Sequence, residues 1–364
     1  MKIIHTEASL GWGGQEIRIL SESVGMIKQG HHIELWAAPD SNILHEAADL
    51  NIITKALPID KKSIRNILKI RAKIKKSQPD IINTHSSTDT WLVALANTTI
   101  SNPPPLMRTR HISAPVPKNF TSRWLYTKAT KHIVTTGSAL KKQLVEENKF
   151  PERMITSVPT GIDTKRFHPG DSLEAKKNLG LPTENKYIGI LATLRSWKGH
   201  LYLIEAFSKL ELPEWKLLIV GDGPMKKTIE EKIKALNLGD SVIMVGQQKN
   251  PEEWLRAMDI FCLPSYANEG VPQSILQAML TKLPIITTSV GAILDAVTDN
   301  ESALIVEPKN HLKIQEAIIK IINNVELADI ISNNSQKKAV TKFSFEIMMS
   351  SMLDVFNHLT GKTS

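Results

Sequence analysis

Short runs of consecutive apolar residues alternate with longer stretches of helical periodicity along almost the whole chain. In the first half the runs 2–5, 33–37, 81–84, 106–109 and 132–135 read as strands. Apolar and β-branched residues in such short blocks suit a strand covered on both faces. Between most of them apolar positions recur every three to four residues, which predicts helices over 15–29, 63–77, 90–97 and 138–148. The pattern breaks into turn residues at 159–169 and stays polar to about 185. It then restarts with strands at 187–192, 216–220, 241–245, 260–263 and 284–287. Helices at 201–209, 225–236, 251–258 and 273–281 separate them. Apolar strands joined through helices predict parallel sheets. Two such series predict an α/β chain of two doubly wound, Rossmann-like domains facing across a cleft at the carboxyl ends of their strands. The domains are expected at 1–165 and 166–344, with a last helix, 345–359, packing back on the first.

Bulk properties narrow the classes. A chain of 364 residues with 41% apolar and 23% charged residues has the composition of a globular protein large enough for two cores. No apolar run reaches the length of a membrane span, and the chain opens directly as a strand, so neither a transmembrane segment nor a signal peptide is expected. The single Cys262 allows no internal disulfide and points to the cytoplasm. The 11 His show no zinc spacing and no Asp-x-Asp pair occurs, so no metal or other cofactor is expected. The net charge of +8 is uneven: residues 1–165 carry 23 Lys and Arg against 14 Asp and Glu, and the rest carry 22 against 23. A basic first half implies an anionic partner there, with nucleic acid and anionic lipid both open.

Candidate chemistry gathers at strand ends. After strand 260–263 come Asn268, Glu269, Gly270, Val271 and Pro272, and then a helix carrying Ser274 and Gln277. Pro272 suits a first helical turn, whose free amides and dipole attract a phosphate. Glu269 beside them suits hydroxyl groups. Together they point to a phosphorylated, hydroxyl-rich ligand; the other reading is an ordinary strand–turn–helix with a surface Glu. Gly11, Gly13 and Gly14 open the helix after strand 2–5, without the spacing of a dinucleotide fingerprint. Such a loop lets backbone approach a phosphate, as any tight turn also uses glycine. Arg195 and Lys198 after strand 187–192 suit a diphosphate, or form a solvated cationic loop. Gly221, Asp222, Gly223 and Pro224 make a good turn in their own right. His85 and His111 follow two first-half strands, and His111 between Arg108, Arg110 and the following loop is the better candidate for substrate contact.

The order of these motifs, with Pro159 to Asp163, Phe167, Pro169, Leu263 to Ser265 and Val290 to Ile293, resembles the retaining glycosyltransferases of family 4, the glycosyl transferases group 1, of GT-B architecture. The resemblance covers nearly the whole chain. It implies transfer of a sugar from a UDP-, GDP- or ADP-linked donor to a glycan or lipid-linked acceptor, with retention, in lipopolysaccharide, capsule or other envelope polysaccharide synthesis. It implies that Arg195 and Lys198 face the diphosphate, His111 the donor sugar, Glu269 the sugar hydroxyls, and Gly13 and Gly14 the phosphate and acceptor side. Gly223, Gly270, Val271, Pro272, Ser274 and Gln277 complete the donor side. His85, Arg108 and Arg110 fall on the acceptor side. Two positions depart from the family pattern: Gln277 replaces a ribose-binding Glu, and Thr193 replaces an Arg whose contact Arg195 is expected to assume.

Two other readings remain beside it, a nucleotide-sugar epimerase or phosphorylase on the same scaffold and a nucleic-acid-binding module. The latter needs aromatic residues interleaved with basic ones on a sheet face, whereas the signals here lie at strand ends, so no nucleic-acid partner is expected. The basic surplus concentrates at 61–76, where Lys69 and Lys73 flank a partial apolar stripe of Ile64, Ile67, Leu68, Ile70 and Ile74. That stripe either packs on the sheet or rests on anionic lipid. In the second case the protein is peripheral at the inner face of the cytoplasmic membrane, with Phe120, Trp124 and Tyr126 assisting.

Overall fold

The computed structural model describes residues 1–267 and 269–362, so Asn268 of the motif above lies outside the described residues. The chain forms two compact units, one of Met1–Thr160 with Glu346–Ser364 and one of Gly161–Phe345. The first contains β1 (Lys2–Glu7), α1 (Gly14–Lys28), β2 (His32–Ala37), α2 (Asn42–Asp49), β3 (Ile53–Ala56) and α3 (Ile64–Ser77). It continues with β4 (Ile81–Thr84), α4 (Ser87–Asn97), β5 (Leu106–Arg110), α5 (Phe120–Trp124), β6 (His132–Thr135), α6 (Ser138–Glu146) and β7 (Ile155–Ser157). The second contains α7 (Ser172–Asn178), β8 (Lys186–Leu191), α8 (His200–Phe207), β9 (Trp215–Val220), α9 (Lys226–Ala235), β10 (Val242–Gly246) and α10 (Pro251–Ala257). Then follow β11 (Ile260–Leu263), α11 (Gln273–Leu280), β12 (Ile285–Thr288), α12 (Ile293–Ala296), β13 (Leu304–Val306), α13 (His311–Asn323) and α14 (Val325–Lys342). The last helix, α15 (Phe345–Thr360), begins at the end of the second unit and runs into the first.

Both sheets are parallel throughout, with strand orders β3-β2-β1-β4-β5-β6-β7 and β10-β9-β8-β11-β12-β13. In each, the order reverses beside the first strand, between β1 and β4 and between β8 and β11. The loops leaving those strands diverge there, which is where open α/β sheets bind ligands. The doubly wound α/β class expected from the apolar pattern is the one observed. The central strands are buried on both faces, as their unbroken apolar runs require.

The edge strands β3, β7 and β13 escape that reading. The residues of β3 are all half-buried or exposed, so it has no apolar run to read. The polar stretch before residue 185 contains α7, whose cap Asp171 accepts hydrogen bonds from the amides of Leu173 and Glu174. Helix α3 packs through Ile70 and Ile74, with Ile67 at the margin, against a core that includes Trp36, Leu92 and Val93. Ile64 and Leu68 take no part in that packing and are 78% and 58% exposed. Tyr126, expected at a surface, is buried against Phe150 with ring centroids 5.1 Å apart. Trp124 is half-buried and stacks on Trp91 at 6.0 Å.

Candidate active site

In the second unit the loops after β8 and β11 meet over the reversal of the sheet. Lys198 Nζ donates to Glu269 Oε1 at 2.6 Å, with the Glu269 side chain buried and that of Lys198 partly covered. Backbone contacts hold this pair in place. Gly199 has φ +81°, and a Cβ there would lie 2.1 Å from the carbonyl oxygen of Pro264, so only glycine brings the two loops this close. Gly291, with φ +61°, is pressed in the same way against the carbonyl of Glu269, 2.1 Å from where its Cβ would stand. The Ala292 amide donates to that carbonyl at 3.3 Å, and the Tyr266 amide donates to Trp197 O at 2.8 Å. The turn from Gly221 to Pro224 is tied in as well: the amides of Leu194 and Met225 donate to Asp222 O and Leu194 O, each at 3.0 Å.

Downstream of Glu269, Gly270, Val271 and Pro272 are buried, and Ser274 and Gln277 are half-buried on α11. Pro272 stands one place before the helix, with φ −66° and ψ 126°, and not within its first turn. Its carbonyl accepts from the amides of Ile275 and Leu276, at 3.2 and 3.3 Å. The guanidinium of Arg195 is exposed and lies 5.6 Å from the centre of the Trp197 ring. A cation, a carboxylate and a helix start thus converge at one sheet edge, an arrangement suited to a ligand with both phosphate and hydroxyl groups.

In the first unit the corresponding edge carries three histidines. His85 Nδ1 is 2.9 Å from His111 Nε2, and His85 Nε2 is 2.9 Å from His5 Nδ1. His5 and His85 are buried and His111 is half-buried. Burial holds the rings neutral, pushing His5 down to about 3 and the other two well below the ordinary histidine range, with Arg18 adding to the effect. Beside them Glu7, at the end of β1, accepts hydrogen bonds from the Ser9 amide at 2.7 Å, from Ser86 Oγ and from Gln15 Nε2. Burial, with Asp89 nearby, raises the Glu7 carboxyl to about 8. The glycine loop between Glu7 and α1 ends at Gly13, which is extended at φ 178° and caps the helix that Gly14 opens.

Comparison with known proteins decides the family. The profile of the glycosyl transferases group 1 matches residues 171–338, and that of glycosyltransferase family 4 matches 12–166. The chain belongs to the group 1 glycosyltransferases. It is 30% identical over 201 residues to a lipopolysaccharide core biosynthesis mannosyltransferase of Rhizobium meliloti, covering 52% of this chain and 57% of that relative. It is 24% identical over 312 residues to the Escherichia coli UDP-Gal:alpha-D-GlcNAc-diphosphoundecaprenol alpha-1,3-galactosyltransferase, covering 81% and 79%. The crystal structure of Anabaena HepE in complex with UDP-glucose superimposes with a TM-score of 0.87 at 17% identity, over 98% of this chain and 100% of that one.

Within this group 1 glycosyltransferase the candidate residues divide. Lys198 and Glu269 are in direct contact, and His111 is the half-buried end of its line, with no partner at Nδ1 among the described residues, whereas the unpartnered Nε2 of His5 is buried at the other end. His85 is a different matter: both its nitrogens are engaged by other histidines, so it supports His111 and does not reach an acceptor. Arg110 is also turned inward, donating to Tyr126 Oη at 2.9 Å, to Ile112 O at 3.3 Å and to Ala114 O. Arg108 is buried 4.7 Å from the centre of the Tyr126 ring. Arg110 thus holds the loop after β5, and Arg108 packs on Tyr126 beyond it. His5, Glu7, Gln15 and Ser86 were not singled out from the sequence. The one available signal was an acidic residue closing an apolar strand just before a glycine loop.

Replacing Gly291 by Ala is expected to lower the stability of the protein by about 1–3 kcal/mol, through the strained φ and the collision with Glu269 O. Urea unfolding followed by tryptophan fluorescence measures it, and an unchanged midpoint contradicts the packing described.

Proposed function

We propose that this protein transfers a sugar from a nucleotide-sugar donor, with retention of anomeric configuration, to a hydroxyl acceptor in envelope polysaccharide synthesis. The observation that carries the reading is the Lys198–Glu269 pair at the reversal of the second sheet. In this reading Lys198 turns to the donor diphosphate and Glu269 to the sugar hydroxyls. Arg195 and the amides at the start of α11 add positive potential as the nucleotide diphosphate departs. The bond from the anomeric carbon to the phosphate oxygen breaks, and the acceptor oxygen bonds to that carbon on the same face. The acceptor proton passes to the leaving phosphate oxygen. Glu269 positions the sugar and forms no covalent bond. Gln277 binds the ribose through its amide, His111 contacts the donor sugar, and Gly13 and Gly14 lie on the acceptor side. This charge neutralisation uses side chains and amides, and no metal or other cofactor enters it.

The uridine nucleotide bound to HepE favours a UDP-linked donor, and the undecaprenol-linked substrate named for the Escherichia coli relative favours a lipid-linked acceptor. The surface of α3 supports the same choice. Among the described residues no helix is long and apolar enough to cross a membrane. Ile64 and Leu68 project outward among the exposed Lys61, Lys62, Arg65, Lys69, Lys75 and Lys76, and Phe120 on α5 is 83% exposed. Apolar groups within a cationic surface suit an anionic bilayer, each lysine contributing about 1 kcal/mol. Peripheral attachment there brings the protein to a lipid-linked acceptor.

A panel of UDP-, GDP- and ADP-sugars, assayed with and without lipid extract, is expected to show one preferred donor. Its turnover should fall by orders of magnitude in a folded Glu269→Ala variant. No turnover of any nucleotide sugar, or full activity in that variant, rejects the reading. Sedimentation with vesicles rich in anionic lipid is expected at low salt, and its loss at high salt and in the triple variant Lys69→Glu, Lys73→Glu, Lys76→Glu. A wild type that ignores such vesicles points to a soluble acceptor.

A further inference from the structure

The histidine line of the first unit does not stop at His5. His5 Nε2 lies 3.9 Å from Glu22 Oε1, and Glu22 Oε2 lies 3.7 Å from Arg18 Nε. All of these side chains are fully buried. His5 Nε2, both Glu22 oxygens and Arg18 Nε have no hydrogen-bond partner among the described residues. Separations of 3.7–3.9 Å close by a small side-chain rotation or through one bridging water. A buried carboxylate needs donors, and the two within reach are His5 and Arg18. Arg18 is itself anchored, donating to Val158 O at 2.8 Å and Thr160 Oγ1 at 3.2 Å.

A neutral imidazole held at both nitrogens donates at one and accepts at the other. Three such rings in line therefore have two polarities. We propose that Glu22 sets, through His5 and His85, which ring nitrogen of His111 carries the proton, and so whether His111 offers a sugar hydroxyl an acceptor or a donor. The inference rests on the reading that His111 contacts the donor sugar.

With Glu22 ionised, His5 donates from Nε2 to it, His85 donates from Nε2 to His5, and His111 donates from Nε2 to His85. His111 Nδ1 is then a bare acceptor. With Glu22 protonated, Glu22 donates to His5 Nε2, His5 Nδ1 donates to His85 Nε2, and His85 Nδ1 donates to His111 Nε2. His111 Nδ1 then carries the hydrogen. The two forms differ by one proton. Taken up at His111 Nδ1, it displaces one proton from ring to ring, and the last reaches Glu22; no ring ends charged.

The surroundings favour this division. Burial raises the Glu22 carboxyl to about 7, with Arg18 opposing, while the rings stay neutral over the same range. The charge of Arg108 acts on His111 and that of Arg18 on all three rings, both favouring the neutral form. Asp89 accepts from the His85 backbone amide and not from its ring, and Phe356 of α15 covers His5 edge-on with ring centroids 6.5 Å apart. The bare-acceptor form therefore prevails above about pH 7 and the donor form below it.

Nitrogen-15 NMR of histidine-labelled protein between about pH 5.5 and 8.5 tests this, because the two ring nitrogens shift according to which bears hydrogen. The expected result is that His5, His85 and His111 reverse their tautomers together, with one midpoint near 7. Glu22→Gln should remove the reversal. If that variant does not fold, His5→Leu cuts the line while keeping Glu22 and Arg18, and His111 should then no longer respond. Rings that keep one tautomer throughout in the wild type, or reverse unchanged in a folded variant, overturn the proposal. A tautomer reversal that donor turnover ignores over the same pH range leaves the proposal standing and rejects the contact of His111 with the sugar.

Discussion

The contact between Lys198 and Glu269 depends on backbone approaching backbone more closely than any side chain permits. Gly199 against Pro264 O and Gly291 against Glu269 O bring three loops together at the reversal of the second sheet. Without those approaches a buried carboxylate would lose the cation 2.6 Å away that satisfies it. An ion pair of this kind adds little net stability, since desolvating both charges offsets their attraction. Its effect is to keep both groups oriented and largely shielded from water at the reversal of the sheet. The parallel topology makes this arrangement possible, because every strand delivers its following loop to the same edge.

The first unit uses the same sheet reversal with different chemistry. Its polar groups include neutral rings and raised carboxyls, packed so deeply that a change of charge there falls on a carboxyl and not on a ring. Helix α1 contributes Arg18 and Glu22 from its buried face, one turn apart, and α15 closes over them with Met352 and Phe356. The carboxyl-terminal helix therefore does more than complete a core: it covers the inner end of the histidine line.

The parts legible in the sequence were those whose signal is local. Unbroken apolar runs marked the central strands, and glycine loops marked the ligand edge. His85 and His111, each following a strand, were placed at that edge, where they meet. What escaped depended on contacts distant in sequence. β3 is too exposed to leave an apolar run. Arg18 and Glu22 lie within the helix read over 15–29 and carry no local sign that they point inward, because only the folded unit brings His5, Val158 and Thr160 to them. Arg108 and Arg110 occupy alternate positions of β5 and share a sheet face, and that face meets Tyr126, not solvent. Cationic residues near a candidate site thus read as ligand contacts, although Arg108 packs on Tyr126 and Arg110 bonds Tyr126, Ile112 and Ala114.

In the proposed function Lys198 and Glu269 part on donor binding, one for phosphate and one for sugar. Calorimetry of Lys198→Met and Glu269→Ala, each with the preferred nucleotide sugar and with its free nucleotide diphosphate, tests it most directly. Lys198→Met is expected to weaken both ligands alike, by about 1.5–3 kcal/mol for a lost charged hydrogen bond. Glu269→Ala is expected to weaken the nucleotide sugar and spare the free nucleotide. Equal losses for both ligands in Glu269→Ala, or a Lys198→Met variant that binds the free nucleotide as the wild type does, would contradict it.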